Sequence, residues 1–313
     1  MLSLSLRILT KPHASSKKNR ILITDGFLVV DKAGGMTSHD VVAVGRKALG
    51  TRKVGHAGTL DPMATGILVL GFGNGTRLLQ YITDGDKSYV ATVVLGASTI
   101  TDDKEGEVIA SADASKVLDS DIEKILKAMI GTIAQRPSSV SAVKVGGERA
   151  YDRVRAGEKF ELEARNVTIT QLDILAVRHL EVTTEVDIEV TCSAGTFIRA
   201  IARDLGESLG VGGHLSALRR TRVASFTEKD ACSFEDLKAQ KFTALNLADV
   251  ARTTFTPREL SLEEVQELSF GRPLAENGNT VINAALSPDN RLIALLKDEG
   301  GKAKPIAVFA AAN

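Results

Sequence analysis

The sequence predicts an α+β fold, a mixed and largely antiparallel sheet followed by a small β-rich C-terminal module. Strand-like runs outnumber the helices that could cross between parallel strands, which argues against a doubly wound sheet. Between Arg165 and Cys192, two long stretches alternate apolar with polar residues, around Val167-Thr168-Ile169 and Val186-Asp187-Ile188-Glu189-Val190. That alternation is the pattern of antiparallel strands wet on one face.

The elements follow in chain order. Phe27-Leu28-Val29-Val30-Asp31 predicts a strand, and Ser38 is placed as the cap of a helix that runs to Leu49 and stops at Gly50. Gly55-His56-Ala57-Gly58-Thr59-Leu60-Asp61-Pro62-Met63-Ala64-Thr65-Gly66 is a glycine-punctuated loop holding one carboxylate, Asp61. Its glycines allow tight turns and Pro62 fixes a dihedral beside the acid. The apolar run to Leu70 reads as a buried strand. Gly71 to Thr76 lead, as a tight turn, into a short helix from Arg77 to Ile82. This cluster lacks the third glycine of a dinucleotide fingerprint, and no lysine follows for a phosphate-binding loop. Lys87 to Gly96 has the β-branched content of a strand, and Ser120 is placed as the cap of a helix ending at Gly131. A helix from about Thr196 to Leu209 and a strand from Ser216 to Phe226 come next. A boundary is expected near Phe242 to Thr256, then a short helix, Leu262 to Leu268, and strand-like runs around Val281, Leu292 and Ile306. The expected organisation is a tail over 1–20, a main domain over 21–245 and a module over 255–313.

With 313 residues and 43% hydrophobic content, the chain can bury the core of one large or two unequal domains. Lys plus Arg and Asp plus Glu are both 39, so an RNA site would have to come from local clustering. The clusters are Arg46-Lys47, Arg52-Lys53, Arg149 with Arg153 and Arg155, and Arg219-Arg220 with Arg222. Taken singly, each reads as a solvated face; as a set flanking the Asp61 loop they could track phosphates. Cys192 and Cys232 have no partners at metal or redox spacing, and the five histidines include no metal-spaced pair. No metal or cofactor is expected. Arg7 interrupts the apolar start and no run reaches membrane-spanning length, so a cytoplasmic protein is expected.

The Asp61 segment resembles the signature of the TruB family of tRNA pseudouridine synthases, and further matches recur in order from Val30 to about Val223. Turn chemistry alone makes an Asp before Pro a structural residue; the resemblance makes Asp61 the essential catalytic acid. Arg199, in Cys192-Ser193-Ala194-Gly195-Thr196-Phe197-Ile198-Arg199, is similar to the family arginine that pairs with that acid. Without the resemblance it reads as a solvated helix face shared with Arg203. Tyr89, in Lys87-Ser88-Tyr89, matches the tyrosine that stacks on the target base and is proposed to take the C5 proton; otherwise it is a cross-strand residue. Leu218 matches the apolar wall against the uracil, and His56 a histidine that fills the space left by the flipped base. Phe197 stands where many members have Tyr, keeping a ring face and losing a hydroxyl. Lys32, Lys87 and Arg155 are counted with the substrate-binding residues.

Gln135-Arg136-Pro137-Ser138-Ser139-Val140-Ser141-Ala142-Val143-Lys144, then Gly146-Gly147 and Tyr151, match another family block, lacking a second proline and a tyrosine that many members carry. Ala33 likewise stands where a proline is frequent. The C-terminal pattern Phe270-Gly271-Arg272-Pro273-Leu274 is similar to a PUA-like domain. The resemblance implies a monomer that flips a T-arm uridine of tRNA, position 55, out of its stack and isomerises it. The C1′–N1 bond breaks and a C5–C1′ bond forms, with no redox change. The alternative is an RNA-binding or tRNA-folding protein in which modification is secondary.

Overall fold

The computed structural model describes residues 24–138, 144–145, 148–149 and 162–309. The tail 1–20, Tyr151, Arg153 and Arg155 lie outside the described residues.

The runs Phe27 to Val30 and Ile67 to Leu70 are apolar at every position because their sheet is covered on both faces. Leu28, Val30, Leu68 and Leu70 join a cluster with Val41 and Val42 of helix Ser38–Leu49 and with Ile201 and Leu205 of helix Ile198–Ser208. Phe27, Val29, Ile67 and Val69 point the other way, into a second cluster with Ala284, Leu286, Leu292 and Leu295 of the C-terminal module. Burial of both faces anchors the strands on which the acidic loop hangs.

Among the described residues the large sheet runs Ala231–Ser233, Gly26–Lys32, Thr65–Phe72, Gly213–Val223, Lys87–Leu95, Thr184–Cys192, Arg165–His179, Gly131–Gln135. Two neighbouring pairs are parallel, Gly26–Lys32 with Ala231–Ser233 and Thr65–Phe72 with Gly213–Val223. The other neighbours are antiparallel, the expected mixed sheet. A separate five-stranded sheet, Thr256–Glu259, Asn283–Leu286, Leu292–Asp298, Lys302–Val308 and Leu274–Ala275, forms the C-terminal β domain. It meets the rest where Tyr81 packs edge-on against Phe255 at 4.9 Å and Arg77 lies 4.6 Å over Phe309.

Two expected caps are displaced, one by a single residue and one by two. Thr37, not Ser38, caps the first helix, through a reciprocal capping box with Asp40. This frees the Ser38 hydroxyl to reach the Asp61 loop. The helix Asp119–Ala128 takes Leu118 as its N-cap, without a side-chain bond, so Ser120 sits inside the first turn beside the acids Asp119 and Asp121. The Gly71 to Thr76 cluster forms the turn expected of it, a 3₁₀ stretch Gly73–Arg77 leading to helix Leu79–Thr83. A helix, Leu247–Thr254, occupies the segment where a boundary was expected.

Candidate active site

Asp61 sits in a loop pinned at nearly every residue. Arg220 donates to the carbonyls of Gly58 (3.1 Å) and Thr59 (3.4 Å). The Ser38 hydroxyl receives the amide of Leu60 at 2.9 Å and faces its carbonyl at 3.2 Å. The Pro62 carbonyl accepts from the Lys32 amine (3.2 Å) and the Gly35 amide (2.8 Å). Both neighbours of Asp61 are therefore fixed by groups outside the loop, which leaves its side chain little freedom.

The carboxylate meets Arg199 at Nε–Oδ2 3.0 Å and Nη2–Oδ1 3.3 Å, the two-pronged geometry of a strong pair. Arg199 is 6% exposed in its side chain and Asp61 33%, so the arginine is the buried partner and the acid looks into a cleft. The same guanidinium reaches Asp103 Oδ2 at 3.4 Å and the Thr101 carbonyl at 2.7 Å. Asp103, absent from the sequence reading, is thus part of the charge balance. Its mark in the sequence is the consecutive pair Asp102-Asp103 after strand Ala97–Thr99. Arg203 pairs with Asp102 at 3.3 Å and Asp204 at 2.7 Å, so this helix face is not a solvated one.

The helix that carries Arg199 starts at Ile198, and Phe197, its N-cap, has no capping side chain. Gln135 supplies the bonds: its Oε1 accepts from the Phe197 amide at 2.8 Å and its Nε2 donates to the Phe197 carbonyl at 3.1 Å. The Phe197 ring thereby has a fixed place on the cleft wall.

The cleft encloses about 510 Å³ between the Asp61 loop, the sheet and the Ser193 to Arg199 segment, and Tyr89, Leu218, Lys87 and Arg220 also line it. That is in the range of small-molecule pockets. Tyr89 is 8% exposed and burial pushes its phenol up, against the opposing pull of Arg220. The Lys87 amine donates to the carbonyls of Thr83 and Gly85, and burial lowers it to about 8. Lys32 is buried away from the cleft wall, donating to Ala33, Met36 and Pro62 carbonyls, and burial lowers it to about 8 against the pull of Asp61. His56 stands on the neighbouring strand Val54–His56, its ring edge-on to His39 at 5.6 Å, with burial lowering its pKa. Asp61, Tyr89, Arg199, Phe197, Leu218 and Lys87 thus come together; Lys32 and His56 flank them; Arg155 is outside the described residues.

One cluster expected to track phosphates is committed to the fold. Arg220 is 1% exposed, Arg219 pairs with Asp31 (2.8 Å) and Glu228 (2.6 Å), and Arg222 donates to Ser88 and to the Ala224 carbonyl.

Three family descriptions match the chain: TruB family pseudouridylate synthase, N-terminal domain, over residues 46–198; tRNA pseudouridylate synthase B C-terminal domain over 199–263; and tRNA pseudouridine synthase II, C-terminal, over 255–310. The tRNA pseudouridine synthase B of Arthrobacter sp. (strain FB24) is 52% identical over 299 residues, covering 92% of this chain and 97% of that one. The enzyme of the same name from Rhodococcus jostii (strain RHA1) is 49% identical, covering 94% and 97%. A chain of a solved Cbf5-Nop10-Gar1 complex shares the fold at TM-score 0.70 and 24% identity, over 93% of this chain and 86% of that one. No helix among the described residues is long and apolar enough to cross a membrane. The identity of about half to these relatives over more than nine-tenths of the chain, with an acid and an arginine paired at the floor of its cleft, shows that the chain belongs to the TruB family of pseudouridine synthases.

Proposed function

We propose that this protein acts in the cytoplasm as a monomer on tRNA, converting the T-loop uridine at position 55 to pseudouridine with Asp61 as the essential acid. The observation that supports this most is the buried arginine holding the Asp61 carboxylate at 3.0 Å on the cleft floor beside Tyr89. A carboxylate kept ionised by a paired guanidinium can act on the ribose, by covalent attack or by assisting elimination, once the C1′–N1 bond is strained. The freed uracil turns between the Phe197 ring, Leu218 and Tyr89, its C5 bonds to C1′, and Tyr89 takes the C5 proton. Lys32 and Lys87 serve substrate binding through the backbone they hold. His56, kept neutral near pH 7 by burial, suits an apolar and stacking role where the base has left rather than a phosphate contact. Reaching the ribose requires the nucleotide to leave its stack.

Asp61→Asn tests this. The variant is expected to bind tRNA as the parent does and to form no pseudouridine in a tritium-release assay or by carbodiimide mapping at position 55. Undiminished turnover would remove Asp61 from the mechanism, and pseudouridine found elsewhere in the tRNA would replace the assigned position.

A further inference from the structure

Arg220 is the largest fully buried side chain among the described residues, and no carboxylate there forms an ion pair with it. Its three hydrogen bonds go to neutral carbonyls, Ile67 at 2.8 Å besides those of Gly58 and Thr59. A buried cation left without a counter-charge is costly, and a cation fixed in a dry site can stabilise negative charge that develops beside it during a reaction. The register shows where that charge can arise. Arg220 and Tyr89 are direct partners across strands Gly213–Val223 and Lys87–Leu95, so their side chains share one face, and both line the cleft. Lys87, two residues from Tyr89, lines the cleft too, while its amine is spent on the Thr83 and Gly85 carbonyls.

We propose that Arg220 is a positioning residue whose buried guanidinium acts as the counter-cation of Tyr89, stabilising the tyrosinate that removes the C5 proton. The phenolate oxygen takes that proton; the C5–H electron pair becomes the C5–C6 double bond, the C6–N1 pair moves to N1, and N1 takes a proton from solvent. The phenol returns its proton to solvent, so the step balances without an oxidant. The titratable and charged groups that reach the phenol are Arg220, Cys192 from strand Thr184–Cys192 and Asp61 from the loop. Asp61 and a Cys192 thiolate would oppose the tyrosinate, and Arg220 favours it.

The inference rests on Tyr89 being the proton acceptor, and the experiment separates the two ideas. Single-turnover rates on tRNA carrying protium or deuterium at uridine C5 are measured across pH for the parent, Arg220→Lys, Arg220→Gln and Tyr89→Phe. In Arg220→Gln the C5 deuterium isotope effect should rise above that of the parent, because proton removal becomes slower than the other steps. The alkaline-rising limb of the rate should move up by about one pH unit or more, a tenfold loss at fixed pH on that limb. Arg220→Lys, which keeps the charge, should fall between the two. An isotope effect and pH limb unchanged in both variants, with only thermal stability or tRNA affinity altered, would overturn the proposal and leave Arg220 a loop tether. Full activity in Tyr89→Phe would instead overturn the assignment of the base.

Discussion

The cleft and the C-terminal β domain treat charge in opposite ways. In the C-terminal region most ion pairs lie at the surface: Arg272 with Glu267, Arg291 with Asp289 and Lys304 with Glu299 all have side chains at least 44% exposed, and the more covered Arg258–Glu264 pair still leaves its carboxylate 32% exposed. Its interior is aliphatic, built on Leu260, Leu268, Ile293 and Leu296. Around the cleft, Lys32, Lys87, Asp103, Arg199 and Arg220 are all buried. Exposed pairs contribute about 0–1 kcal/mol, whereas a buried charge that loses its partner is a liability of several. Among the described residues, the buried Lys, Arg and Asp side chains are gathered around the cleft.

The contrast breaks hardest at Arg199. Arg199→Met strands the carboxylates of Asp61 and Asp103, so we expect a loss of about 3–5 kcal/mol in urea unfolding together with lost turnover. The matched change Arg272→Met should cost under about 1 kcal/mol and leave turnover intact. Gly66→Ala comes next. Gly66 has φ +98°, and a β-carbon there would lie 2.2 Å from the Arg220 carbonyl oxygen, where strands Thr65–Phe72 and Gly213–Val223 run parallel. A loss on the order of 2 kcal/mol in thermal unfolding is expected, with a slower reaction because Arg220 must shift; unchanged values would mean the two strands can part freely.

The smallest effect is a slope in pH. Lys32 and Lys87 are lowered to about 8 in the folded protein from an ordinary 10.5. The unfolded chain therefore holds these protons more tightly, and stability gains from both groups as pH rises from about 8 to 10.5, with no contribution to the slope below that window. Lys87→Met should flatten this rise in denaturation midpoints measured across the window, and an identical slope in the variant would sink the claim.

Much of the architecture could be read directly. The alternation over Arg165 to Cys192 and the apolar runs at Phe27 and Ile67 became the expected strands, and Gly50 ends its helix in the left-handed conformation with φ 68°. Local pattern decided these elements, and local pattern is visible in sequence. The cap at Thr37 was missed because two adjacent hydroxyl residues compete for one role and only backbone geometry chooses; the cap at Leu118 was missed because it has no side-chain bond and so leaves no polar signal in the sequence. The pairing of Asp61 with Arg199 spans 138 positions, and resemblance, not spacing, suggested it. Arg220 was hidden for a different reason. Set among Arg219 and Arg222, it looks like a surface charge run, and only the strand register reveals that it turns inward.

Strand Gly213–Val223 lies between Thr65–Phe72 and Lys87–Leu95, two strands close in sequence that never pair with each other. A nascent chain that has emerged only through strand Thr184–Cys192 has every earlier strand of the large sheet yet keeps an open seam at its centre, two unsatisfied backbone edges of the kind that invite aggregation. Closing that seam demands a long-range insertion, which is slow. Leu218 and Arg220 line the cleft from strand Gly213–Val223, so a ribosome must deliver the segment through Val223 before the site is complete.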